Sequence, residues 1–285
     1  MEGSDRGRRV GLLVIAVLVV LGSGKALAGG KRPGDRPCSV SVVAVRDKHP
    51  AEQSVVLQLR YGGAADPSSV LGPDSLRLVV DAPQGHPRVF IEDMRTGARD
   101  DVVGVWATRP VWSPDGRFVA CETYPSQEQS YQLAVIDRRT RKRIVVEAQV
   151  AADEYRWSPD SRWIAVEGVE RGTNHVVLSV YDLAHRRLRR IATTPALGSY
   201  GLSWSPDSKL LAFTKPTEVS EDETVLEADL WVAPTSNWRP CRVRATQDEV
   251  ESQPEWLSDA ALLVKSVPRT APRSAGRELV FELGR

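Results

Sequence analysis

The stretch VWSPDGRFVA, from Val111 to Ala120, sets a serine hydroxyl two residues before the carboxylate of Asp115 and closes on a glycine. A loop of that make-up can cradle a metal ion or a phosphate, so Asp115 is the first residue to test for chemistry. Other candidates are few. Four histidines, His49, His86, His175 and His185, are scattered without metal-ligand spacing. The loop TEVSEDETVLEAD carries Glu218, Glu221, Asp222 and Glu223 but lacks the glycine and alternating ligands of a calcium loop, so it reads as a solvated acidic tip. No Gly-x-Ser-x-Gly stretch occurs. No catalytic residue, metal or cofactor is therefore expected.

The elements around Asp115 argue against chemistry there. The same six-residue pattern recurs as RWSPDSRWIAVEG and SWSPDSKLLAFT, and in worn form as EWLSDAALLVKS and VLGPDSLRLVVD. The anchors are Leu71, Trp112, Trp157, Trp204 and Trp256, at intervals of 41, 45, 47 and 52 residues. Asp160 and Asp207 repeat Asp115, and Asp74 and Asp259 occupy the worn copies. A catalytic group is not copied five times along a chain. A corner is. Pro114 presets φ, Ser113 caps the turn, and Gly116 suits its fourth position, where Ser161 and Ser208 stand in later copies. Each interval holds an apolar strand after the turn, a polar stretch, a second strand, a polar corner and a third strand, and then a short strand into the next anchor. Four strands per repeat without helical periodicity predict an all-β fold, a β-propeller of four-stranded blades. The tryptophans would pack between blades.

The Trp-Ser-Pro-Asp-Gly turn followed by an apolar-Ala-apolar strand resembles the TolB-type, WD-like β-propeller repeat. The resemblance covers Val70 to Val264, fully in three copies and partly in two. It implies a binding scaffold whose channel mouth engages a partner's extended segment. Related propellers with a hydrolase domain need more chain than this one holds before Arg285.

Closing the ring needs a strand from elsewhere. The last repeat lacks a fourth strand, and SVSVVAV (39–45) and SVVLQLRY (54–61) have no blade of their own. One of them is expected to complete the last blade and so remove an exposed edge. Five blades are expected, with six as the alternative.

The N-terminus has the layout of a secretory signal. Arg6, Arg8 and Arg9 precede twelve apolar residues, Val10 to Leu21, and Ala26-Leu27-Ala28 supplies a small-residue exit. Residues 1–28 read as a signal peptide, 29–37 as a flexible lead-in and 38–285 as one propeller domain. The expected location is periplasmic or secreted, with no transmembrane span in the mature chain; an uncleaved anchor is the alternative. Loss of residues 1–28 takes four bases and two acids from totals of 38 and 37, leaving a formal charge of −1. That balance argues against a nucleic-acid partner. A monomer is expected. Export permits disulfides. Three cysteines allow at most one bridge within the chain, with Cys38–Cys241 possible and Cys121 in an apolar strand.

Function is therefore sought in residues outside the repeat. One candidate is a basic corner patch, Arg139, Arg141, Arg143, Arg187 and Arg189, which repeat phase would set side by side. The other is the channel mouth at the opposite end, with Glu154, Tyr155, Arg156, Tyr200, Glu251 and Glu255. The reading is an exported, non-catalytic propeller that binds an envelope protein or peptide segment, or a glycan. The alternatives are a propeller enzyme acting on an extracellular polysaccharide and an N-terminally anchored scaffold.

Overall fold

The computed structural model describes residues 40–48, 69–82, 85–102, 104–124, 132–146, 150–173, 175–194, 201–220, 225–244, 249–269 and 276–284. The expected signal peptide, the lead-in, His49, Tyr200 and the segment 54–61 lie outside them. The described residues hold twenty strands and no helix. No helix among them is long and apolar enough to cross a membrane.

The strands fall into five four-stranded sets, numbered here as blades in chain order. Blade 1 is β2 (Ser69–Leu71), β3 (Leu76–Asp81), β4 (Arg88–Asp93) and β5 (Arg99–Asp101). Blade 2 is β6 (Trp106–Trp112), β7 (Phe118–Tyr124), β8 (Gln132–Asp137) and β9 (Arg143–Val146). Blade 3 is β10 (Val150–Trp157), β11 (Trp163–Glu170), β12 (Val176–Asp182) and β13 (Arg187–Thr194). Blade 4 is β14 (Leu202–Trp204), β15 (Leu210–Val219), β16 (Val225–Pro234) and β17 (Cys241–Arg244). Blade 5 is β18 (Glu249–Trp256), β19 (Ala261–Pro268), β20 (Arg277–Gly284) and the N-terminal β1 (Ser41–Asp47). Within each blade consecutive strands pair antiparallel. Blades 4 and 5 also share one parallel pairing, Ala228 opposite Val250. The closing strand is as expected: β1, drawn from the first unassigned segment, pairs antiparallel with β20.

Each anchor tryptophan packs on the preceding blade. Trp112 joins Leu78, Val89 and Ile91 of blade 1, and Trp157 joins Ala120, Leu133 and Val135 of blade 2. Trp204 meets Trp163 and Val180 of blade 3, and Trp256 meets Leu230 and Val232 of blade 4. All four are at least nine-tenths buried. An indole burying on the order of 200 Å² is worth about 5 kcal/mol in area terms. Middle strands face apolar neighbours on both sides, and β12 is buried along its whole length.

The Ser-Pro-Asp turn is the second joint between blades. In three copies the serine Oγ donates to the aspartate Oδ1, at 2.6, 2.6 and 2.8 Å for Ser113–Asp115, Ser158–Asp160 and Ser205–Asp207. The same hydroxyl accepts the N–H of Phe118, Trp163 or Leu210, each at 2.9 Å. The Asp115 N–H then crosses to Ser161 Oγ of the next blade at 2.9 Å. Asp160 N–H reaches Ser208 Oγ at 3.0 Å, and Asp207 N–H reaches Asp259 Oδ1 at 2.8 Å. Ser161 and Ser208 are thus more than tolerated stand-ins for glycine. They hold left-handed φ values of 61° and 60°, a conformation costing about 1–2 kcal/mol, and supply the acceptor. Glycine is needed in blade 2 for another reason. A Cβ on Gly116 would lie 2.1 Å from Pro73 Cγ. Ser161→Ala keeps the strain and orphans the Asp115 N–H, so it should lower stability by about 1–2 kcal/mol. Ser161→Gly relieves the strain and should cost less. Urea midpoints of the two variants check that order.

The terminal blades differ from the interior ones. The residue paired with the anchor is Val119, Ile164, Leu211 and Leu262 in blades 2 to 5. In blade 1 it is Arg77, paired with an exposed Leu71. Arg77 and Arg99 flank the buried Glu92 at 2.9 and 3.0 Å, and Arg99 also meets Asp81 at 3.1 Å. Blade 5 carries Arg46–Glu282 at 3.3 Å and Lys48–Glu278 at 3.0 Å. No apolar cluster joins blade 5 to blade 1 among the described residues. Polar outer faces of this kind end stacked-repeat arrays.

Candidate functional site

The corner between the third and fourth strands sits beside the Ser-Pro-Asp turn in every blade where both are formed. Met94 N–H donates to Ser75 O, Arg138 N–H to Arg117 O, Leu183 N–H to Arg162 O and Thr235 N–H to Lys209 O, at 2.9 to 3.2 Å. One end of the fold, the corner end, therefore carries both sets of loops. Aspartates shape these corners. Asp93, Asp137 and Asp182 each accept two backbone N–H groups two and three residues on. Burial pushes the Asp137 carboxyl up, but Arg117 at 2.7 Å and the N–H groups of Arg139 and Thr140 outweigh it and hold it below the usual carboxylate range. For Asp182, burial again opposes, and His185, with Nδ1 at 2.8 Å, and Arg162 bring the carboxyl down. A depressed folded pKa gives stability that is present above about pH 4, the unfolded value, and lost as pH falls through the folded value. The urea midpoint should therefore fall with pH below about 4, and Asp137→Asn should flatten that fall.

Residues 137–143 contain five bases and one acid, and residues 182–190 contain four bases and one acid. Two are paired. Arg141 reaches Asp100 of blade 1 at 2.9 Å, and Arg190 pairs with Glu170. Arg138 lies over the Trp112 ring at 5.9 Å. Among the described residues, Arg189 donates to the Asn237 carbonyl of blade 4, at 3.4 Å, and has no carboxylate partner. Among the described residues, the charged groups of Arg139, Lys142, Arg143, Arg186 and Arg187 have no carboxylate partner.

Register turns two of these bases to different neighbours. Arg143 stands opposite Ile136, on the face of blade 2 turned to blade 1. Arg189 stands opposite Val180, on the face of blade 3 turned to blade 4. The unpaired bases therefore occupy separate corners, blade by blade. Blade 4 adds Arg239 and a feature the sequence reading missed. Trp238 takes a left-handed φ of 55° at the corner and folds inward, 4.9 Å from Trp163 and 5.9 Å from Trp204 between ring centres. Its counterparts are Gly97, Arg141 and Arg186, also at positive φ. Cys241, next to this corner, is disulfide-bonded. Cys121 is free and buried, and burial pushes its thiol up to about 12.

The described residues expected at the opposite mouth lie along the inner strands β10 and β18. Tyr155, expected at an exposed mouth, is buried, donates its hydroxyl to the Arg109 carbonyl, and lies under the Arg109 guanidinium at 5.6 Å. Glu251 is fully buried, and its Oε2 accepts the Leu230 N–H of blade 4 at 2.7 Å. Glu154 and Arg156 pair with each other at 2.5 Å. Glu255 is half-buried and, like Arg156, stands next to an anchor tryptophan beside the corner end, not at the opposite mouth. Glu218 of the acidic loop is held by Arg269 at 2.7 and 2.9 Å. Among the described residues no three acid, histidine or cysteine side chains converge to hold a metal ion.

No protein-family model and no curated protein matches this sequence. Solved structures do. The tricorn protease aligns with 73% of this chain and 24% of its own, at 17% identity and a TM-score of 0.53. The β-propeller domain of the trilobed protease from Pyrococcus furiosus aligns with 73% of this chain and 65% of its own, at 14% identity and a TM-score of 0.51. TolB from Acinetobacter baumannii aligns with 75% of this chain and 53% of its own, at 16% identity and a TM-score of 0.42. The chain thus spans about half of that TolB and about a quarter of the tricorn protease. With its four-stranded antiparallel blades and the likeness to the propeller domain of the trilobed protease, the fold of this chain is a β-propeller.

Proposed function

We propose that this chain is an exported, non-catalytic β-propeller that binds another component of the cell envelope, and that the corner end of blades 2 to 4 is its binding face. One observation carries the reading. Among the described residues, Arg139, Lys142, Arg143, Arg186 and Arg187 at the corners of blades 2 and 3 have no carboxylate partner, whereas Arg46, Arg77, Arg99, Arg109, Arg156, Arg269 and Arg277 elsewhere are ion-paired. Guanidinium groups left without partners on rigid hairpins favour an anionic ligand and steer it electrostatically. The N-terminal layout supports export, as does a disulfide at Cys241, which suits an oxidising compartment. The repeated aspartates serve the turns, so the motif itself supplies no reacting group.

The test is photo-crosslinking in intact cells. A photoreactive residue at Lys142 or Arg186 should capture an envelope component, and one at Glu218, at the opposite end, should not. Capture at Glu218 alone, or turnover of a polysaccharide by the purified chain, would overturn the reading.

A further inference from the structure

We infer that the anionic ligand of the corner end is a linear polyanion, a chain of repeating phosphate or carboxylate groups, and not the acidic patch of a folded protein. This rests on the binding reading above and narrows it. Three observations carry it.

First, the corners offer charge without apolar anchors. The exposed large apolar residues among those described are Val42, Val43, Val45, Leu71 and Met94. None lies on blades 2 to 4. Trp163 and Trp238 at these corners are buried, and Phe118, the counterpart of Trp163 in blade 2, is half-buried under the Arg117 guanidinium. Protein interfaces draw their energy from a desolvated aromatic or aliphatic centre, and this end has none to offer. Its binding energy would come from ion pairing and counterion release, the regime of polyelectrolytes.

Second, the bases are distributed. They stand on successive corners as Arg139, Lys142 and Arg143, then Arg186, Arg187 and Arg189, then Arg239, with Arg143 and Arg189 turned to opposite neighbours. A compact acidic patch would engage one corner. A linear chain following the rim engages several, and each further contact adds through effective concentration.

Third, the bases are largely arginine on rigid supports. The corners are fixed by the Asp137 and Asp182 caps and by the hydrogen bonds to the neighbouring turns. A planar guanidinium fork fits phosphate and carboxylate oxygens in pairs.

The experiment titrates the purified exported chain with long-chain polyphosphate, with alginate as a carboxylate polymer, with tripolyphosphate, and with phosphatidylglycerol vesicles. One polymer or both should bind, with affinity falling steeply as salt rises. Tripolyphosphate should bind at least about 100-fold more weakly than the polymer of the same chemistry. Which polymer binds identifies the repeating group. Arg187→Glu should weaken polymer binding by about 10-fold or more. Arg171→Glu, the same charge change in an exposed loop at the opposite end, should leave it unchanged. Urea midpoints verify that both variants are folded. Equal affinity for tripolyphosphate and polymer, equal effects of the two reversals, or binding to vesicles without binding to either polymer would overturn the inference. If neither polymer binds while Lys142 crosslinks to an envelope protein, the inference fails and the binding-face reading stands. If neither polymer binds and nothing crosslinks at the corners, both fail.

Discussion

Trp112→Ala should destabilise the chain by about 3–5 kcal/mol, the cost of emptying a large aromatic site that cannot collapse. The indole is 2% exposed and is shared by two blades, with Leu78 and Ile91 on one side and Val119 and Ile136 on the other. It also sits directly against Gly72, where an added Cβ would lie 2.3 Å from the indole nitrogen. Relaxation around the lost ring is therefore limited by backbone. The matched control is Leu71→Ala. Leu71 holds the same place in the repeat but is 69% exposed, so its truncation should fall within about 0.5 kcal/mol of zero. Urea unfolding of the two variants gives the comparison. Similar losses for both would mean that blade 1 has a packed outer neighbour after all.

Breaking the disulfide at Cys241 is the second large effect. Cys121 is free, and Cys38, the remaining cysteine, lies outside the described residues. Cys241 opens β17, the outer strand of blade 4. A bridge from there to a residue ahead of β1 would close a loop of some 200 residues. It would tie the strand that completes blade 5 to its neighbour. Loss of a native disulfide typically costs about 2–5 kcal/mol, more for long loops in the chain-entropy account. Both Cys241→Ser and Cys38→Ser should lower the unfolding midpoint by that amount, and the double variant should do no more than either alone. Reductant should shift the wild type and leave all three variants where they are. A Cys38→Ser chain as stable as the wild type would assign the Cys241 partner elsewhere.

Much of this architecture is written in residue types. The tryptophan, the turn and the apolar strand recur together, so blade edges and inter-blade packing are readable without coordinates. So is the closing strand, because a blade short of one strand and an unassigned strand at the other terminus point to each other. The end of the array is also visible, as Leu71 and Arg77 where other copies have tryptophan and an aliphatic residue. What escaped reading depends on register. The corner after β8 places Arg143 opposite Ile136, while the corner after β12 places Arg187 opposite Asp182. The two corners are equally long, so Leu188 is the counterpart of Arg143, and Arg189, one position further on, turns to the opposite face. Bulges hid the rest. The inner strands slip between Ala152 and Glu154 and between Ser252 and Glu255, and such slips re-aim side chains. Tyr155 and Glu251 accordingly point into the fold. Trp238 gave no signal because its counterparts are glycine and arginine, and only a left-handed corner lets an indole fold inward there.

The central claim is that binding belongs to the unpaired corner arginines and that the repeated aspartates are structural. Retention of the purified chain on isolated cell-envelope material, measured per folded molecule at low and high salt, tests it most directly. The account predicts that the wild type is retained at low salt and released at high salt. Asp115→Asn should be retained like the wild type despite lower stability, and the Arg187→Glu/Arg189→Glu double variant should be lost. Retention of the double variant at the wild-type level, with loss of Asp115→Asn, would contradict it.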